Sequence, residues 1–372
     1  MSQSKVLTHL CPNCGGPLLF DPKSQKFHCQ YCLSTFTEEE VTAFEAKQED
    51  KGIPEDKGIP EESVSEVPLE ADTAESPIDD QVGLFVCPSC GAEIVTDATT
   101  ASTFCYYCHN PVVLSERLSG KFLPEKVLPF QIEQKDAEKA FLDWVGKKKF
   151  VPKDFFDKKQ IKQLQGVYFP YWVVGADLEG QLQARANRIR VWIVGDLEYT
   201  ETKQYQVIRE GKSTFQDLVK NALKKNEPEK MVGAVQPFDL SKAVSFKNQY
   251  LSGFLTEKRD IEYAEIKERV DSELRQYSEA LMRDTIQGYT AVTSVQSQQN
   301  IKNLESDYVL LPLWLVTYRQ KNSDKLFYYA MNGQTGKTAG ILPVDKMKVV
   351  LVALLIFISV LILGVIVGWF VS

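Results

Sequence analysis

Only three histidines occur in the 372 residues, and none lies beyond His109. No cysteine lies beyond Cys108. The rest of the chain therefore lacks the residue types on which most nucleophilic triads and metal hydrolases depend. No H-E-x-x-H pattern occurs, and no nucleophile, base and orienting group can be assembled from the sequence. Phosphate loops are missing as well. The stretch GQTGKT, Gly333 to Thr338, ends like one, but Met331 stands where the motif needs its first glycine. The GKS at Gly211, Lys212 and Ser213 fails in the same way, with Gln206 at the required place. Asn332 and Gly333 read instead as a two-residue hairpin turn after FYYAM. Carboxylates are plentiful but fall on helix faces or in one acidic segment. The expectation is a protein that is not an enzyme.

The N-terminus, MSQSKVLTHLCP, lacks the basic and then apolar pattern of a signal peptide. A reduced, cytoplasmic setting is expected, and there clustered cysteines point to metal and away from disulfides. All eight belong to C-x-x-C pairs. One block runs CPNCGGPLLFDPKSQKFHCQYC, from Cys11 to Cys32, and the other CPSCGAEIVTDATTASTFCYYC, from Cys87 to Cys108. The spacing is identical, and Pro12, Gly15, Asp21 and Tyr31 recur as Pro88, Gly91, Asp97 and Tyr107. This is an internal repeat. Two cysteines separated by two residues turn a knuckle whose sulfurs face one point, and the glycine that follows allows a positive φ. Two knuckles joined by a hairpin complete a tetrahedral cage of four sulfurs. The predicted ligands are Cys11, Cys14, Cys29 and Cys32 in one ribbon, and Cys87, Cys90, Cys105 and Cys108 in the other. Such cages are closed and structural, and they supply folding energy that hairpins this small cannot find in a core. Two Zn2+ ions are expected, with iron left open because it takes the same geometry. His9, His28 and His109 read as neighbours of the cages, not ligands.

The net charge of -7 is unevenly spread. Residues 38–80 hold 16 Asp/Glu against 3 Lys, and KGIPED and KGIPEE follow each other at 51–62. So acidic and proline-rich a segment reads as a disordered linker that lets the first ribbon move, with a short helix before it over 38–47.

Residues 349–371, VVLVALLIFISVLILGVIVGWFV, carry no charge. As a helix at ~1.5 Å per residue this run crosses a bilayer core of about 30 Å with some tilt. Lys346 and Lys348 precede it, which places the bulk of the chain on the cytoplasmic side of a single span in the cell membrane. Trp369 and Phe370 suit the far interface. Gly364 and Gly368 have the spacing of a helix-pairing motif, so a homo-oligomer is one reading and ordinary glycine usage the other.

Between ribbons and anchor, residues 121–345 read as an α+β soluble domain. Helices are predicted over 132–149 and 257–285, the second burying Tyr263, Ile266, Val270, Leu274, Tyr277 and Leu281. Strands are predicted at 167–175, 181–194, 198–209, 288–297, 307–319 and 325–331. YFPYWVV (168–174) resembles LLPLWLV (310–316), which suggests an internal duplication with Pro170 and Pro312 on equivalent edges. The chain thus divides into ribbon 1 (1–37), linker (38–80), ribbon 2 (81–120), soluble domain (121–345) and transmembrane anchor (346–372). The fold class is multidomain: two small β ribbons with rubredoxin-like knuckles, one α+β domain and one C-terminal transmembrane helix.

The paired CPxCG…CxYC ribbons, the strand GVYFPYWV, the segment YYAMNGQTGKTAGILP and the terminal apolar run occur together. This combination resembles the bacterial YdjG-type zinc-ribbon membrane proteins, some of which carry a TFIIB-type zinc-ribbon or replication-related label. The resemblance spans nearly the whole chain except the acidic segment, and it carries over the eight cysteines alone. It implies a membrane-bound adaptor in an envelope stress response, with phage-shock protein A-like or flotillin-like SPFH proteins as partners. Nucleic-acid binding is the competing expectation. Residues 1–37 sum to only +2 and residues 81–120 to -2, too little clustered positive charge for strong phosphate binding. A redox or metal sensor is the third.

Overall fold

The computed structural model describes residues 6–49, 82–152, 164–224, 233–319 and 326–371. Ribbon 1 contributes β1 (Val6–Leu7), β2 (Leu18–Asp21), β3 (Lys26–Cys29) and β4 (Thr35–Phe36), the last three forming a small antiparallel sheet. Helix α1 (Glu38–Glu49) follows at once and buries Val41. The expected linker therefore begins no earlier than residue 50. Its first twelve residues fold because they have a surface to sit on. Glu38 bonds Lys247 and the Tyr250 hydroxyl, while Glu45 accepts from Gln249 at 2.7 Å and contacts His9 Nδ1 at 2.6 Å. Residues 50–81, with the KGIP repeats, lie outside the described residues.

Ribbon 1 is docked, contrary to the mobile unit expected. Phe20 and Phe27 pack on Tyr250 with centroids 5.3 and 5.9 Å away, and Phe20 N–H donates to Ser252 O at 3.1 Å. Two buried aromatics at about 1.5–3 kcal/mol each outweigh the freedom gained by release.

Ribbon 2 contributes β5 (Val82–Val86), β6 (Glu93–Asp97), β7 (Thr100–Phe104) and β8 (Pro111–Leu114). Strands β7 and β8 belong to the main sheet, and β1 pairs with β8 at its edge. The soluble domain adds β9 (Lys126–Val127), α2 (Gln134–Gly146), β10 (Gln165–Val194), β11 (Leu197–Asn221), β12 (Val244–Ser245), β13 (Leu255–Glu257), α3 (Tyr263–Asp284), β14 (Ala291–Arg319), β15 (Leu326–Asn332) and β16 (Thr338–Ile341). The main sheet is mixed, in the order β1-β8-β7-β13-β10-β14-β15-β16, with β11 beside β10, β9 beside β14 and β12 beside β9.

The duplication is visible bond by bond. Strands β10 and β14 pair antiparallel about Phe169↔Leu311, so Tyr168 faces Pro312 and Leu310 faces Pro170. Exchanging YFPYW for LLPLW leaves this register unchanged. Ala222 N–H donates to Pro170 O, and Gly333 N–H to Pro312 O. The Trp172 indole donates to Ile261 O and the Trp314 indole to Ile132 O, each at 3.0 Å. Asp260 and Ile261 N–H donate to Ala222 O, as Gln131 and Ile132 N–H do to Gly333 O. The two halves therefore interlock, each tryptophan capping the segment before the other half's helix.

The prolines do not sit on sheet edges. Pro170 lies where the neighbour of β10 changes from β13 (at Val167 and Tyr168) to β11 (from Tyr171). Pro312 lies where the neighbour of β14 changes from β9 to β15. A missing N–H costs least at such a handover.

Four predicted strands are really two. Residues 167–175 and 181–194 run on as β10, and 288–297 and 307–319 merge in β14. The glycines between 174 and 181 mark a bulge at Val174/Ala176, not a turn. Gly180 has a second purpose, because a Cβ there would collide with Gln299 and Met282. Strands β11, β10 and β14 so form an arm, and α3 packs along one of its faces. The helix buries Ile266, Val270, Leu274, Ser278 and Met282, whereas Tyr277 and Leu281, expected in the stripe, are exposed. At the hairpin after β15, Asn332 N–H donates to Lys337 O and its side chain accepts from Gln334 and Thr335 N–H. The connection is thus longer than the two-residue turn expected at Asn332 and Gly333.

Helix α4 (Lys346–Val371) is the one helix among the described residues long and apolar enough to cross a membrane, and its apolar side chains are exposed all round. Lys348 Nζ reaches Val151 O at 2.6 Å, which seats its first turn against the body.

Candidate metal centres

Each C-x-x-C pair closes with the same backbone bonds. Cys11 N–H donates to Gly16 O and Gly15 N–H to Cys11 O. The pattern repeats at Cys29 with Ser34 and Leu33, at Cys87 with Ala92 and Gly91, and at Cys105 with Asn110 and His109. The residue after each pair is left-handed: Gly15 at φ 71, Leu33 at 60, Gly91 at 73 and His109 at 60. Glycine meets this need freely. Leu33 and His109 adopt it at some cost, and His109 stands in this turn beside a cage whose four candidate ligands are all cysteine.

All eight predicted ligands are brought together, four and four. Within each group the sulfurs lie within 4.8 Å of one another. Cys11 and Cys32 sulfurs are 3.5 Å apart, Cys14 and Cys29 3.4 Å, Cys87 and Cys108 3.7 Å, and Cys90 and Cys105 3.7 Å. A tetrahedral ion with metal–sulfur bonds near 2.3 Å has sulfur–sulfur edges of about 3.8 Å. The donor set thus fits a tetrahedral ion that favours thiolates, with no ligand position left open for substrate. One thiol in each group is readily ionised. Ser34, through its hydroxyl and its N–H, holds Cys32 down to about 6. Burial works against Cys105, but the N–H groups of Cys108 and Tyr107 hold it down to about 7. In the same clusters Cys14 and Cys108 are pushed up to about 12. Four adjacent thiolates repel one another, and a divalent cation removes that penalty.

The deeper cysteines, Cys11, Cys29, Cys87 and Cys105, are buried, and Cys14, Cys32 and Cys90 are exposed. Tyr31 and Tyr107, matched across the repeat, are each 72% exposed. The knuckles of both ribbons line one groove of 660 Å³, whose walls include Val6, Leu10, Pro17, Tyr31 and Pro88. This groove was not legible in the sequence, because it exists only once β1 has paired with β8. Among the described residues, no third group of His, Cys, Asp and Glu gathers for a metal.

No family model matches the chain, and no solved structure matches it. The chain is similar over nearly its whole length to an uncharacterized protein, YdjG, of Bacillus subtilis (strain 168), with 29% identity over 344 residues, covering 92% of each chain, in line with the resemblance carried by the motifs.

Proposed function

We propose that the protein is a membrane-anchored zinc-ribbon adaptor that recruits protein partners to the cell membrane. In this reading α4 spans the bilayer and the bulk of the chain lies on the cytoplasmic side, as Lys346 and Lys348 before the span favour. Two zinc ions fill the cysteine cages and act structurally. The observation that carries the reading is the groove shared by both ribbons. Closed four-thiolate cages offer no chemistry, but the first holds the exposed Tyr31 rigidly in the wall of this cleft, and a rigid aromatic anchor is what a protein interface needs. The resemblance described above implies an envelope stress response and a partner of the phage-shock protein A or SPFH type.

The test compares full-length protein, solubilised from membranes, with Tyr31→Ala and with Cys87→Ser/Cys90→Ser. Recovery of a phage-shock protein A-like or SPFH-type partner should fall at least tenfold in both variants. Tyr31→Ala, at an exposed site, should keep its metal, its membrane residence and its stability within about 0.5 kcal/mol. Undiminished partner recovery from both variants would sink the adaptor reading. A steep salt-dependent affinity of the intact protein for DNA would favour the nucleic-acid reading instead.

A further inference from the structure

The arm ends in a bare strand edge. Strand β10 has 30 residues, roughly 95 Å at ~3.3 Å each. Its pairing with β14 stops at Asn187↔Ala291, whereas its pairing with β11 continues to Val194↔Leu197. Residues 188–194, RIRVWIV, therefore have β11 on one side and, among the described residues, no strand on the other. Thr290 N–H donates to Asn187 O, and Ile189 N–H is taken by the Thr290 hydroxyl at 3.0 Å. By the alternation of an antiparallel ladder, the groups facing outward beyond this point are Ile189 C=O and both groups of Val191 and Ile193. The segment has no proline or bulge to blunt the edge, and its charges are two arginines, Arg188 and Arg190, at one end of it. Its apolar side chains are exposed on both faces: Ile189, Val191 and Ile193 on one, Trp192 and Val194 on the other.

We infer that this edge pairs with the same edge of a second copy of the chain, antiparallel and centred on Val191. The register is chosen by charge. Parallel, in-register pairing would set Arg188 beside Arg188 and Arg190 beside Arg190, and like charges directly opposite are destabilising. Antiparallel pairing about Val191 sets Arg190 against Trp192, Arg188 against Val194 and Ile189 against Ile193. Arg190 already lies 5.8 Å from the Trp192 ring in its own chain, so the pairing places a second guanidinium at an aromatic face used to one. On the opposite face, two copies of Ile189, Val191 and Ile193 merge into one aliphatic patch. Four backbone bonds form: Val191 with Val191 twice, and Ile193 N–H with Ile189 C=O twice. The Ile189 N–H is not needed, which agrees with its capture by Thr290. A lipid surface fits less well, because Asp196 occupies the turn at the tip and Glu198 follows it.

The experiment uses two differently tagged full-length chains made in the same cells and solubilised in mild detergent. Each tag should recover the other, and light scattering should give the mass of two chains. Val191→Pro removes only an outward N–H and leaves the bonds to β11. Val191→Lys puts two like charges on the axis. Each should lower cross-recovery at least tenfold with metal content unchanged. Gly364→Leu/Gly368→Leu, which addresses pairing of the membrane helices, should leave recovery at half or more of the parent. Unchanged recovery with both Val191 variants, a monomeric parent, or loss confined to the glycine variant would overturn the inference.

Discussion

The two ribbons share one cage and differ in nearly everything between the cysteines. The repeat aligns Phe20 with Thr96 and Phe27 with Thr103. Ribbon 1 docks its two phenylalanines at tilted and edge-on angles, both against Tyr250 and Phe20 also against Phe254, and β2 to β4 keep a sheet of their own. Ribbon 2 has threonines there and joins by its backbone instead. Strand β7 pairs with β13, and Ser102 Oγ donates to Phe254 O at 2.6 Å, while Arg117 braces the ribbon internally through Thr96 Oγ1 at 3.0 Å and Thr100 O at 2.6 Å. The cysteine spacing specifies the cage, and the residues between the knuckles specify how the cage is built into the molecule. Ribbon 2 is built into the main sheet through β7 and β8, whereas ribbon 1 adds only the two-residue β1 to the edge of that sheet and docks the rest of itself largely by side chains.

The largest consequence concerns metal. Intact protein should carry two ions per chain, and Cys105→Ser or Cys29→Ser should each carry one. Removing a structural ion forfeits on the order of 10 kcal/mol of binding energy in small zinc domains. For Cys105→Ser the loss should spread through β7 and β13 into the main sheet and abolish cooperative unfolding. For Cys29→Ser, faster hydrogen exchange should stay within residues 6–49. Equal spread in both variants would erase the distinction between integral and docked ribbon.

Next come the aligned side chains. Phe27 is fully buried, and Phe27→Ala should cost about 3–5 kcal/mol. Thr103→Ala, at the matching place in ribbon 2, should cost less than about 1 kcal/mol, read by denaturant unfolding of the two variants side by side.

The smallest effect is the acid sensitivity of one carboxylate, Glu38, at the seam between α1 and the soluble domain. Burial by itself would raise the Glu38 carboxyl, but bonds from Lys247 and the Tyr250 hydroxyl outweigh it and hold the group below its ordinary value. A lowered carboxylate contributes stability above its unfolded pKa of about 4.3, and the contribution is lost as pH falls through the folded value. Glu38→Gln should therefore cost about 1 kcal/mol at neutral pH, and the gap to the parent should close below about pH 4. The β7–β13 pairing, made of backbone bonds, supplies no such gap.

Much of this was legible from the sequence where the constraint is local. A C-x-x-C knuckle is closed by bonds within six residues, so its spacing alone announces it. The duplication was readable in YFPYW and LLPLW because both copies meet the same packing and the same handover of neighbours. Apart from the longer turn after Asn332, the misses are tertiary. Tyr277 and Leu281 fit the helical period, yet Ser278 and Met282 face the sheet, because Gly180 opens room there and Gln299 offers Ser278 a bond at 2.7 Å. The short helix expected over 38–47 is there, but its docking site was not legible, because Lys247 and Tyr250, which partner Glu38, stand about two hundred positions away in the sequence.

The crosswise capping of the two halves sets an order of events during synthesis. Gln131 and Ile132 are made early, but the carbonyl they need is that of Gly333, and the Trp314 indole that caps Ile132 comes almost as late. The first half cannot close as it leaves the ribosome; it must wait for β15, the strand that delivers Gly333. Helix α4 begins soon after, at Lys346. The body thus reaches its final shape at nearly the moment its apolar tail emerges, and a chain cut short anywhere in β14 would leave the segment before α2 without its bonds to Gly333 and open to proteolysis.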